Sequence, residues 1–562
     1  MRIALGQFNA TVGDLPGNVE KMKKMWARAV EAGADLVAFP ELAICGYPPE
    51  DLVYKKQFVK DNRSALEELA ACVEGVPPSN RGLEARDTTL VVGFVECSEG
   101  SLYNSAAVIQ AGRIVNVYRK GLLPNTSVFD EQRYFKPGES PVVIDVAGLR
   151  VALTICQDIW DKEWLASFFA GAGRIDLMVN ISASPFHVNK IYQRCEVVAD
   201  CANLLHCAVA YCNLVGGQDE LVFDGRSILA DSTGRIVTKA KAFDEDLLLA
   251  DIEAGKTGVH VRPQRPQSPQ PKDEVEEVYQ ALVLGTRDYA LKNGFEQVLL
   301  GISGGIDSAV TAAVAAAALG PQNVICVTMP SRFNSPETIA DAKLAADNLG
   351  CPLLTIPIEP ILKPFNESLK AEPRWNDRGL AYENLQARIR GMVLMSLSNQ
   401  IGALVLTTGN KSEVSVGYST LYGDTAGGFS VIKDVLKTMV YRLAEYINEL
   451  AGREVIPVSV IQRVPTAELR PNQKDRDSLP EYDVLDRIIM GYVEQDQSAR
   501  DLVESGLPAD EVERVIRMID RNEYKRRQSP PGVRITAKAF GKDRRLPMTN
   551  HYTTTVKNIK HL

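Results

Sequence analysis

From Met1 to about Glu253, short apolar runs alternate with amphipathic stretches: RIALGQF, then NVEKMKKMWARAVEAG, then DLVAFPE, and further turns of the same theme. Runs of this length read as strands and the stretches between them as helices, which predicts a layered α/β domain over residues 1–255. From about Asn18, the residues Val19, Met22, Met25, Trp26 and Ala29 recur at steps of three and four, the stripe of a helix that buries one face. Near residue 260 the pattern stops. VRPQRPQSPQPKD carries Pro263, Pro266, Pro269 and Pro271, which prevent a regular helix and favour extended chain, so a linker is expected across residues 256–273. A second α/β unit is expected over residues 274–562. EVEEVYQALVLGTRDYALKNG reads as a helix ending near Gly294, and Val298 to Leu300 as a strand followed by an alanine-rich helix. NVICVTMP and PLLTIPI read as strands on either side of a helix in PETIADAKLAADNLG. This alternation predicts a doubly wound parallel sheet with its ligand at the C-terminal ends of the strands.

Composition narrows the class. With 562 residues, 45% hydrophobic and 24% charged, the chain has length for two or more cored domains. A net charge of −8 argues against a bulk nucleic-acid binder and gives no general attraction to anionic lipid. The start, MRIALGQFNATVGD, shows no apolar segment of signal-peptide length, and no apolar run reaches membrane-spanning length. A cytoplasmic protein is expected, with no nucleic-acid or membrane partner. Ten cysteines without a CxxC pair then read as buried thiols plus a candidate nucleophile. Cys195, Cys201, Cys207 and Cys212 cluster, but only His206 joins them and the spacing fits no common zinc site, so core packing is expected there.

Two places carry chemistry. The first is Gly301, Ile302, Ser303, Gly304, Gly305, Ile306, Asp307 and Ser308, lying between the expected strand and the alanine-rich helix. Glycines bring backbone N–H groups close to oxyanions, and a helix beginning at Asp307 or Ser308 adds its positive dipole end. No Lys follows the glycines, which sets aside the Walker loop, and Asp307 offers a magnesium ligand beside phosphate oxygens. The plainer alternative is a strand-to-helix turn capped by Ser303 or Asp307. The whole string resembles the phosphate loop of the N-type ATP pyrophosphatases, which split ATP into AMP and pyrophosphate.

The second place is spread over the first half. Glu41, Lys120 and Cys156 each stand at the end of an apolar run. A carboxylate can take a thiol proton, and an ammonium can favour the thiolate and stabilise the oxyanion formed when an amide is attacked. Singly, they read as a helix cap, a surface charge and a buried small hydrophobe. Their surroundings, FPELAICGYPPEDL, YRKGLLPNTSVFDEQRYF and ICQDIW, resemble the nitrilase-type carbon–nitrogen hydrolases. That resemblance implies an α-β-β-α sandwich in which Glu41 is the general base, Lys120 the oxyanion stabiliser and Cys156 the nucleophile, with Glu131 supporting Lys120. VNISASPFHVNK resembles the segment beyond the nucleophile, where Ser182, with Ser184 as a second candidate, would hold the amino-acid end of glutamine. Two positions depart from glutamine-using members: Gln157 stands where Glu is frequent, and Thr126 where Tyr is frequent. Replacing an ion pair by a neutral hydrogen bond costs on the order of 1 to 2 kcal/mol, so a weaker grip on glutamine is expected.

Downstream, MPSRFNSPET, ENLQARIRGMVL, VLTTGNKSE, GYSTLYGD, GGFSVIKDVLKT, LPEYDVLD and NEYKRRQSPPGVRIT resemble the synthetase half of the glutamine-dependent NAD synthetases, with an adenine nucleotide α-hydrolase-like sheet. The resemblance implies that Thr408 contacts ATP and that Glu413 joins Asp307 around Mg2+ or lies against the dinucleotide. It further implies that Asn384 and Lys525 hold deamido-NAD, with Asp424, Lys433 and Arg388 nearby. On its own, the run Lys525, Arg526, Arg527 reads as a solvated basic face. The implied substrates are glutamine, deamido-NAD and ATP, and the implied assembly is a homo-oligomer. A water-excluding passage would keep ammonia from becoming unreactive ammonium between the two sites. Competing readings are another amidotransferase on the same ATP loop, an ammonia-only synthetase with a silent first domain, and a nucleotide-binding regulator.

Overall fold

Alternation of side chains decides the layers of the first half. A computed structural model describes residues 1–74, 88–256, 258–471 and 473–552, and the chain divides into two compact units, Met1–Lys272 and Asp273–Leu562. In the first unit, one sheet runs Gly258–Pro263, Asp246–Gly255, Arg2–Gln7, Leu36–Ala38, Thr89–Ser98, Ser101–Gln110, Arg113–Arg119 in spatial order. The other runs Ile236–Lys239, Ile228–Ala230, Ala208–Asn213, Leu177–Ser182, Leu149–Ile155, Val143–Val146. Ile3 and Leu5 of the first sheet share one core with Val151, Leu153 and Ile155 of the second. The residues between them in sequence, Ala4 and Ala152, point the other way, into two separate outer clusters. This period of two is what lets a sheet bury both faces.

The outer faces are covered by helices. Leu15–Glu31 lays Val19, Met22, Met25, Trp26 and Ala29 on the first sheet, the stripe expected from the sequence, and Lys190–Leu205 brings Val198, Cys201 and Ala202 to the second. The result is the expected α-β-β-α sandwich. Cys201, Cys207 and Cys212 are buried and Cys195 partly so, all as free thiols. Part of the stretch expected to be linker is a strand instead. Gly258–Pro263 pairs antiparallel with Asp246–Gly255, and Pro263 sits at the strand's end, where a missing N–H is tolerated.

The second unit holds a parallel sheet in the order Leu353–Thr355, Val324–Thr328, Val298–Gly301, Leu404–Thr407, Phe429–Ser430. In chain order this is 3-2-1-4-5, the expected doubly wound arrangement. The direction of winding reverses between Val298–Gly301 and Leu404–Thr407, so a crevice opens where the loops after these two strands diverge. Helix Ile306–Leu319, rich in alanine, is buried on most of its surface. A cluster built from helices Tyr482–Ile489, Ala499–Glu504 and Ala509–Arg521 adds a second core that the sequence pattern did not single out.

Candidate active sites

The three first-half residues do end strands, and the fold brings them together. Glu41 follows Leu36–Ala38, Lys120 follows Arg113–Arg119, and Cys156 follows Leu149–Ile155. All are nearly buried, with Glu41 and Lys120 each 1% exposed and Cys156 5%. Lys120 Nζ donates to Glu41 Oε1 at 2.6 Å and to Glu131 Oε1 at 2.8 Å. Glu41 also accepts from Asn104 Nδ2 at 2.7 Å and from the Ala183 N–H at 2.9 Å, while Glu131 accepts from the Tyr47 hydroxyl at 2.9 Å. Cys156 opens a short turn, Cys156–Ile159, with φ of 44°, a left-handed conformation that a residue with a Cβ adopts only under constraint.

Electrostatics sets protonation at rest. Burial and the Glu41 carboxylate push the Cys156 thiol well up, against a smaller downward pull from Lys120. The ammonium thus acts in the direction read from the sequence, toward the thiolate, but burial outweighs it. Burial also pushes Glu131 up to about 7, opposed by Lys120 and reinforced by Glu41. Lys120 stays charged because Glu131 and Glu41 outweigh the cost of its burial.

The residues expected to hold glutamine fall differently. Ser182 is fully buried, its hydroxyl donates to Asn180 Oδ1 at 2.7 Å, and it also interacts with the Cys156 thiol. Ser184 accepts from Arg194 Nε at 3.1 Å. Gln157 is partly exposed on the turn beside Cys156, and Thr126 is exposed in the loop after Lys120. Asn104, Tyr47, Asp158 and the Ala183 N–H were not singled out from sequence. Asp158 could have been found in ICQDIW, two places after Cys156, whereas Asn104 has no local signal beyond a polar residue in an apolar strand.

In the second unit, the phosphate loop leaves strand Val298–Gly301 and turns at Gly304, φ +83°. A Cβ there would lie 2.1 Å from the Thr338 carbonyl oxygen, so only glycine fits. The helix begins at Ile306, slightly earlier than expected, and its N-cap is Gly305 with no side-chain cap bond, which removes the plainer reading of a Ser303 or Asp307 cap. Ser308 Oγ instead accepts from Ser303 N–H at 3.2 Å and donates to Gly305 O at 2.9 Å, stitching the loop to the first turn.

Asp307 faces the loop after the fourth strand across the crevice. Its carboxylate accepts from Asn410 Nδ2 at 2.8 Å and from Lys437 Nζ, and Lys437 also reaches Glu413 Oε1 at 3.4 Å. The two residues expected at magnesium thus share one buried ammonium. Burial pushes Glu413 up to about 8, with Lys437 opposing and Asp307 reinforcing. Among the described residues, no group of three or more His, Cys, Asp and Glu gathers as a metal site. Thr408 is half-buried directly after Leu404–Thr407, in the same loop as Asn410.

Asn384 accepts from the Thr420 hydroxyl at 2.8 Å, and Thr420 N–H donates to Asp424 at 2.7 Å. Lys525 Nζ rests on the Gly417 and Ser419 carbonyls at 2.7 and 2.8 Å, and burial lowers its pKa. Arg388 Nε donates to Leu421 O at 3.1 Å and Lys433 Nζ to Pro530 O at 2.7 Å. The basic run is only partly a solvated face: Arg526 is 5% exposed and pairs with Glu523 at 3.0 Å, Lys525 is half-buried, and Arg527, which also pairs with Glu523, is exposed.

Comparison with known proteins bears on both halves. Residues 2–259 match the carbon-nitrogen hydrolase family and residues 278–529 the NAD synthase family. Glutamine-dependent NAD(+) synthetases from Thermotoga maritima and Aquifex aeolicus are each 44% identical, the first covering 98% of this chain and 99% of its own, the second 98% and 100%. The structure of the Acinetobacter baumannii glutamine-dependent NAD+ synthetase in complex with adenosine diphosphate is 39% identical, with TM-score 0.76 over 99% of each chain. With this identity sustained across both units, the chain belongs to the family of glutamine-dependent NAD(+) synthetases.

Proposed function

We propose that the first unit releases ammonia from glutamine at Glu41, Lys120 and Cys156, and that the second uses it to convert deamido-NAD to NAD at the expense of ATP. The observation that carries this reading is the buried Lys120 ammonium held between Glu41 and Glu131, with Cys156 buried close by. Glu41 takes the thiol proton as sulfur attacks the side-chain amide carbon, and Lys120 faces the oxyanion that forms. The proton passes from Glu41 to the departing nitrogen, ammonia leaves, and a glutamyl thioester remains. Water activated by Glu41 then cleaves it to glutamate. Ser182, Gln157 and Thr126 are proposed to border the glutamine.

In the second unit, the nicotinate carboxylate of deamido-NAD attacks the α-phosphorus of ATP, pyrophosphate leaves, and ammonia displaces AMP from the adenylate to give NAD. The loop from Gly301 to Ser308 is proposed to hold phosphate oxygens at the first-turn N–H groups of helix Ile306–Leu319, Thr408 to lie along the nucleotide, and Asn384, Glu413 and Lys525 to hold deamido-NAD. Asp307 and Glu413 are the hard oxygen donors proposed for Mg2+, which would offset the charge of the phosphates, and both carboxylates are engaged by Lys437 Nζ. We further assign the synthetase domain to residues 274–562, with strand Gly258–Pro263 counted in the first domain, together with a homo-oligomeric state and a cytoplasmic location. No described helix is long and apolar enough to cross a membrane.

A coupled assay of AMP and NAD tests the whole reading. Cys156→Ala should abolish NAD formation from glutamine while added ammonia still supports it. Asp307→Ala should silence NAD formation from either nitrogen source and leave glutamine hydrolysis measurable. Glutamine-dependent synthesis in Cys156→Ala would overturn the assignment of the nucleophile.

A further inference from the structure

Asp158 is fully buried, and four donors converge on its carboxylate. Oδ1 accepts from the backbone N–H groups of Gly121 and Leu122 at 3.1 and 2.8 Å, the two residues that follow Lys120. Oδ2 accepts from the Ile155 N–H at 2.8 Å, the residue that precedes Cys156, and from the Tyr118 hydroxyl at 2.7 Å, two residues before Lys120. One oxygen therefore serves the segment leaving Lys120, and the other joins the strand end before the nucleophile to the strand that delivers Lys120. Gly121 is a close fit in the same corner, since a Cβ there would lie 2.2 Å from the Trp164 ring.

We propose that Asp158 is the positioning residue of the ammonia-releasing centre, fixing the Lys120 ammonium relative to the Cys156 sulfur through the backbone on both sides. The assignment rests on the reading of Cys156 and Lys120 as nucleophile and oxyanion stabiliser. Its physical content is that oxyanion stabilisation depends steeply on where the cation stands when the tetrahedral carbon forms, and a misplacement of about 1 Å costs on the order of 100-fold. The carboxylate is also hard to replace. All four neighbours are donors, so an amide in its place would turn N–H groups toward N–H groups, and Asp158→Asn is not a silent substitution despite its shape.

The test compares Asp158→Asn and Tyr118→Phe, with kcat expressed per folded enzyme, the folded fraction being read from circular dichroism, so that unfolded enzyme is not counted. Asp158→Asn is expected to lower kcat for glutamine hydrolysis by about 100-fold, with KM for glutamine within about threefold, while NAD formation from added ammonia is kept. Tyr118→Phe removes one donor of the four and should lower kcat about fivefold, again without raising KM. A purely structural role would lower the folded fraction and leave kcat per folded enzyme at the wild-type value, which would overturn the proposal, as would a rise in KM with kcat unchanged. Should Asp158→Asn fail to fold, wild-type kcat in Tyr118→Phe overturns it alone. Cys156→Ala separates the two levels: if it still hydrolyses glutamine, the reading of the site fails, whereas if it is inactive and Asp158→Asn is not, only the positioning role fails.

Discussion

Lys120 stands at the point where two buried carboxylates would otherwise repel, with its side chain and that of Glu41 at 0% and 1% exposure. Lys120→Met keeps the length of the side chain and removes the charge, leaving Glu41 and Glu131 buried without a cation. Breaking such a set costs about 3–5 kcal/mol, so the urea midpoint should fall accordingly and glutamine hydrolysis should be lost. Glu131 makes a separate, pH-dependent prediction. Its pKa rises from 4.5 to about 7 on folding, so the native state binds more protons than the unfolded chain between these values. Its contribution to stability is full below about 4.5 and is lost as pH rises through about 7. Glu131→Gln should therefore gain stability relative to the parent across that window and level off above it. A constant difference between the two unfolding curves from pH 4.5 to 7 would contradict the assignment. Glu41, Lys120 and Cys156 were legible because each sits in a distinctive string. Their partners were not, because those contacts arise only on folding: Asn104 lies 63 positions from Glu41, Ala183 lies 142 away, and Lys437 lies 130 from Asp307.

The phosphate loop shows what an element adds to its residues. Its position follows from strand order, since the loop after Val298–Gly301 and the loop after Leu404–Thr407 border the reversal of the sheet. Its shape follows from Gly304, where both positive φ and the Thr338 carbonyl exclude a side chain. Gly304→Ala should shift the loop at a cost of about 1–3 kcal/mol, corresponding to roughly 5- to 150-fold in ATP-dependent NAD formation, with glutamine hydrolysis unchanged. Steady-state rates with ammonia as nitrogen source read this directly, and a wild-type rate would show that the loop's backbone does not hold the phosphates. The strand–loop–helix order was legible from periodicity. The strand Gly258–Pro263 was not, because Pro263 and the prolines that follow it mask a pairing supplied by Asp246–Gly255, a partner that composition cannot reveal.

Each unit carries its own interior. The apolar cluster around Ile3, Leu5, Val151 and Leu153 lies wholly within the first unit, and those around Leu485 and Ile516 and around Leu299 and Val327 lie wholly within the second. The first unit also closes on itself: strand Arg2–Gln7, near its start, pairs antiparallel with Asp246–Gly255, near its end, from Arg2 opposite Asp251 to Gln7 opposite Asp246. Leu248, Ala250, Ile252, Val259 and Val261 from the final two strands enter the core between the sheets. The composition break near residue 260 therefore marks a change of unit but falls inside a strand that the first unit needs. A fragment ending at residue 272 keeps this closure and should unfold in one cooperative transition by circular dichroism. A fragment ending at residue 240 loses both strands and leaves Ile3 and Leu5 without their neighbours, so it should collapse without a cooperative transition. Equal cooperativity in the two fragments would mean that the sheet does not depend on its returning strands, and non-cooperative behaviour of the longer one would mean that the first unit borrows stability from the second.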